Sequence, residues 1–141
     1  MLLQVLVYVL TPLAAVVVVL TRLRLRGDGS AAGRLQISHR VLSLHTLFGG
    51  LALIVWVLFL AFPADSLPGG AAAGIVAIGL WWVTTILGLL VLARWLPARG
   101  KHAEPAAVDS WSKGPWLSML AHIGLLVGVL VFTYAYLTAA V

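Results

Sequence analysis

Histidine is the only side chain in this sequence placed to do chemistry. There is no cysteine, which removes thiolate ligands, disulfides and dithiol redox chemistry. The acids are Asp28, Asp65, Glu104 and Asp109, and they, like all nine Lys and Arg, lie outside the long apolar runs. Ion-coupled transporters mark their paths with charges inside the membrane, and here there are none. No Ser or Cys nucleophile stands beside a base, no carboxylates are paired and no phosphate-binding loop is present, so neither a hydrolase nor a transferase is expected. What remains is four histidines. His39 and His102 fall at or beyond the ends of apolar runs, whereas His45 and His122 fall inside them. A neutral imidazole is a strong axial ligand for haem iron and suits a low-dielectric site. The function therefore turns on which elements carry His45 and His122, and at what depth.

The elements follow from composition. The chain has 141 residues, 62% hydrophobic and 9% charged, with mean hydropathy +1.10. A soluble chain carries about 25% charged residues, so the expected solvent for most side chains is a lipid bilayer. Apolar runs at about 2–21, 41–62, 71–93 and 116–140 are each long enough to span one. They predict a single all-α domain over 1–141, a polytopic membrane protein built as a four-transmembrane-helix bundle. The first run has no basic start and is longer than a signal-peptide core, so it reads as a retained span, with Pro12 as a kink. The net charge of +5 and pI near 10.5 would suggest nucleic acid in a soluble protein. Here every Lys and Arg lies in the 22–40 and 94–115 segments, so the charge is a topology signal and no nucleic-acid partner is expected. Both basic loops are then cytoplasmic and both termini outside, an N-out/C-out topology. Trp95, Trp111 and Trp116 fall at the cytoplasmic interface. The Arg-rich, Ala/Val/Leu-rich composition fits a bacterial plasma membrane.

Spans two and four run in the same direction, so depths can be counted along them. His45 lies five residues past Arg40, roughly 7.5 Å at the helical rise, and His122 six past Trp116 and nine past Lys113, roughly 9–14 Å. Two imidazoles at similar depth on parallel helices could face each other across one haem. Residues three or four apart share a helix face, which places Val41, Leu42, Gly49 and Ala52 beside His45. Gly49 and Ala52 would leave room for a flat macrocycle, and Arg40 could pair with its propionates. The His122 face, with Ser118, Met119, Leu125 and Leu126, is less hollow. Gly124 and Gly128 have the G-x-x-x-G spacing of helix packing. Trp81 and Trp82 sit at mid-span, as core packing or as a wall beside a cofactor or quinone. Thr84 and Thr85 are expected to bond back to their own helix. Each histidine also has a structural alternative: snorkelling to headgroups, capping a carbonyl or bridging helices.

Two segments, HRVLSLHTLFGGLAL (39–53) and MLAHIGLLVGVLVF (119–132), carry a family-level pattern. Four spans with in-membrane histidines on the second and fourth resemble one half of a haem A synthase, and are similar in outline to four-helix cytochrome b561-type domains. The resemblance implies His45 and His122 as ligands of one b haem. A haem A synthase has two such halves and an acid beside a histidine, so its synthase activity is not implied. The expectation is a small membrane b-type cytochrome or electron-transfer subunit, at most a redox subunit. The alternative is a cofactor-free accessory or assembly subunit of a larger membrane complex. A quinone- or lipid-binding role for the Trp81, Trp82 and His39 region is a third.

Overall fold

The computed structural model describes residues 1–27, 39–93 and 116–141. They form four helices: α1 (Leu2–Gly27), α2 (His39–Ala61), α3 (Ala71–Ala93) and α4 (Trp116–Leu137). Each is long and apolar enough to cross a membrane. Residues such as Ile75, Leu90 and Leu120 present 62%, 58% and 72% of their surface outward. Packing of these helices is inside-apolar and outside-apolar at once, as lipid rather than water requires.

The boundaries differ from the hydropathy reading at three places. α1 continues through Arg22–Gly27 instead of stopping at Thr21, because the alternating Leu and Arg are good helix formers. α2 begins two residues early, at His39. α4 ends at Leu137, three residues early, in a left-handed cap. The Ala140 N–H donates to the Ala135 carbonyl at 2.9 Å and that of Ala139 to Tyr136 at 3.1 Å, with Ala139 at φ 49°. This is the Schellman pattern with alanine where glycine is usual.

The helices pack in a ring. α2 lies against α1 and α3, and α4 against α3 and α1, whereas no Cα of α2 comes within 8 Å of one in α4. α2 and α4 therefore occupy one diagonal, and only long side chains meet across it. We call the end carrying the 62–70 link the link end and the other the basic-loop end.

The core is concentrated toward the link end. Trp56 of α2 stacks on Phe132 of α4 at a centroid distance of 4.8 Å, and Trp81 of α3 meets the same ring at 5.8 Å. Val7, Ala52, Ala77, Val129 and Ala135 fill the rest. Two tryptophans cross-link helices by one device, an indole N–H donating to a threonine hydroxyl that donates to its own helix. Trp56 reaches Thr11 at 3.1 Å, and Thr11 reaches the Val7 carbonyl at 2.8 Å. Trp82 reaches Thr133 at 3.1 Å, and Thr133 the Val129 carbonyl at 2.7 Å. An interhelical bond of this kind contributes about 0.6–1.7 kcal/mol in a membrane protein. Trp56 is fully buried, so Trp56→Phe also opens a cavity. The variant is expected to lose about 2 kcal/mol in reversible unfolding from mixed micelles. Trp82→Phe, at a half-buried site, should lose less.

Past Thr11, α1 adds to the core only the half-buried Ala14 among the described side chains. Val7 and Thr11 are its buried side chains, and every described side chain from Pro12 onward is exposed or half-buried. The bundle is thus closed toward the link end and looser along α1 toward the basic-loop end.

Candidate functional site

His45 and His122 meet. Their ring centroids stand 5.9 Å apart with an interplanar angle of 32°, reaching across the α2–α4 diagonal where the backbones do not touch. The contact is made over Gly88 of α3. A Cβ built on Gly88 would lie 2.7 Å from Cδ2 of His122, 3.2 Å from Cε1 of His45 and 3.5 Å from Nε2 of His122. The missing side chain is therefore a notch that receives the Cδ2–Nε2 edge of His122 and the Cε1 corner of His45.

The Nδ1 atoms of both rings are held by backbone. Nδ1 of His45 donates to the Thr84 carbonyl at 3.1 Å. Nδ1 of His122 donates to the Ser118 carbonyl one turn back on its own helix, at 2.6 Å, with the Ser118 hydroxyl at 3.3 Å. A carbonyl can only accept, so in neutral rings the proton is on Nδ1 and the lone pair on Nε2. A metal-ligating histidine is oriented in this way by its second nitrogen. The local sequence explains why Thr84 can serve. Its hydroxyl turns back to the Leu80 carbonyl at 2.8 Å, as Thr85 does to Trp81 at 2.9 Å. Its carbonyl points along α3 toward residue 88, where glycine leaves it open to His45.

The donor set fits a group that takes two neutral nitrogens from opposite sides. Two imidazole nitrogens each about 2 Å from a shared metal place their ring centroids about 6 Å apart when they lie across it. No group of three or more metal-binding side chains converges among the described residues, so a closed tetrahedral zinc site has no ligand set there. The space beside Gly88 is filled by the two imidazole rings themselves.

The other sequence candidates separate. Gly49 is buried, but the space expected beside it is taken: a Cβ there would lie 3.3 Å from Cγ2 of Thr84. Gly49 is thus a contact between α2 and α3 rather than one side of a hollow. Ala52 is fully buried in the core. Arg40 is exposed in the first turns of α2. Gly124 and Gly128 do not mark a close helix approach, since a Cβ at either would meet nothing within 4 Å. Trp81 is core, 1% exposed, with an indole nitrogen that has no hydrogen-bond partner among the described residues. His102, Trp95, Trp111 and most of both basic loops lie outside the described residues. The sequence reading passed over Gly88 and the Thr84 carbonyl. A signal for Gly88 was present, since it stands six residues before Arg94, roughly 9 Å in depth and level with the histidines.

No family model, curated protein or solved structure matches this chain.

Proposed function

We propose that the chain is a small integral-membrane b-type cytochrome or electron-transfer subunit, with His45 and His122 as the axial ligands of one haem. What supports the reading is the convergence of two imidazoles at 5.9 Å, each held through Nδ1 by a backbone carbonyl. Two ligands preset in one tautomer lose little freedom on binding, and carbonyl acceptors raise the basicity of the coordinating nitrogens. The haem supplies reversible one-electron chemistry when bound. The protein supplies the orientation of the two rings, the side-chain-free wall at Gly88 and an apolar surround. In the N-out/C-out topology that the basic loops favour, the site lies toward the cytoplasmic face of a bacterial plasma membrane, with Arg40 one turn beyond His45 toward that face for a propionate.

Haem content of the purified protein, expressed with haem available, tests this. One b haem per chain is expected. A chain that purifies without chromophore, but with stoichiometric membrane partners, would instead be an accessory subunit.

A further inference from the structure

We propose that the cleft at the link end, between α1, α2 and α4, binds a neutral ring-headed isoprenoid lipid, a quinone or its quinol. The cleft has a volume of about 460 Å³ and is lined by Gln4, Tyr8, Phe59, Phe62 and Tyr136 among others. It shares Tyr8 and Leu60 with a smaller apolar groove of about 210 Å³ that continues along the outer surface between α1 and α2 past Thr11 and Pro12. An open cleft with a ring-lined wall, continued by a shallow apolar groove on the outer face, matches a ring head and a chain tail.

The wall is built rather than incidental. The Tyr136 hydroxyl donates to the Ala71 carbonyl at 2.9 Å, and its ring meets Phe59 edge-on, centroids 5.8 Å apart. Both rings press into α3 at Gly74, where a Cβ would overlap the Tyr136 ring and lie 3.0 Å from the Phe59 ring. An aromatic wall fixed in this way favours a planar partner.

The polar groups select the class of head. No Lys, Arg or His lines the cleft, so a phosphate headgroup finds no counter-charge. Two donors do line it: the Gln4 amide and the Tyr8 hydroxyl, neither with a hydrogen-bond partner among the described residues. Neutral carbonyl oxygens on a flat ring match those donors, and a prenyl tail matches the groove. The cleft is at the opposite end of the bundle from the histidines, and the proposal does not depend on the haem.

Labelling the purified protein in phosphatidylcholine nanodiscs with a photoreactive azido-ubiquinone tests this. Adducts are expected on the segments around Gln4–Tyr8, Phe59–Phe62 and Tyr136, and decylubiquinone should compete them away. Tyr8 is half-exposed and Gln4 exposed, so Tyr8→Phe and Gln4→Leu spare the core. Each should weaken competition about fivefold, the loss of one hydrogen bond. Adducts spread over the lipid-facing surface, competition by added phosphatidylcholine alone, or unchanged affinity in the double variant would overturn the proposal. A labelled cleft in protein without a haem band would remove the cytochrome reading alone. A haem band with no competed labelling would remove this proposal alone.

Discussion

Gly88→Ala is expected to fold and to lose most of its haem. Two effects oppose each other in the fold. Alanine is favoured over glycine inside a helix by roughly 0.5–1 kcal/mol. Against that, the new methyl would stand 2.7 Å from the His122 ring and 3.2 Å from that of His45, and overpacking costs about 1–3 kcal/mol. The His122 ring can turn away only by loosening its bond to the Ser118 carbonyl. The fold should therefore change by no more than about 1–2 kcal/mol, while the paired geometry is lost. Binding that depends on both rings should weaken by about tenfold to a hundredfold. Gly88→Leu should do both, emptying the site and destabilising the bundle. Haem titration of the apoprotein beside an unfolding curve separates the two effects. Equal haem affinity in Gly88→Ala would mean that the notch does not serve the site.

The second large effect is expected at His122. Replacing it with glycine removes one ligand and leaves a hole the shape of an imidazole on the apolar path between α4 and Gly88. Haem content of His122→Gly should fall to background, and free imidazole added during reconstitution should restore part of it. The fold should survive, because His122 is half-buried and outside the aromatic core. His45→Gly should behave alike but recover less, since its ring also ties α2 to the Thr84 carbonyl of α3. Rescue distinguishes a ligand from a packing residue, which exogenous imidazole would not replace in a haem assay.

Much of this architecture is legible in the sequence because a bilayer imposes a length on apolar runs. α3 begins at the expected residue and α2 and α4 lie within three residues of the expected runs, whereas α1 runs six residues further. The misjudged end of α1 has a local cause. The end of an apolar run is not the end of its helix, because Arg22, Arg24 and Arg26 propagate a helix as well as Leu does. Counting depth from the basic anchors was enough to pair His45 with His122. It could not give the diagonal placement of α2 and α4, which follows from how four helices close into a ring. Gly49, Gly88 and Gly128 show the limit of reading small residues along one helix. Gly49 looks like room but is filled by Thr84, Gly128 looks like a packing motif but a Cβ there would meet nothing within 4 Å, and Gly88 looks ordinary but lies under both imidazoles. What a glycine makes space for is decided by the neighbouring helix, which the local sequence does not contain.

The central claim is that His45 and His122 together hold one haem. A reduced-minus-oxidised spectrum of the purified protein, recorded beside His45→Ala and His122→Ala, tests it most directly. The account predicts a b-type α-band in the parent chain and its loss in both variants. No band in protein made with haem available, or a band unchanged in either variant, would contradict it.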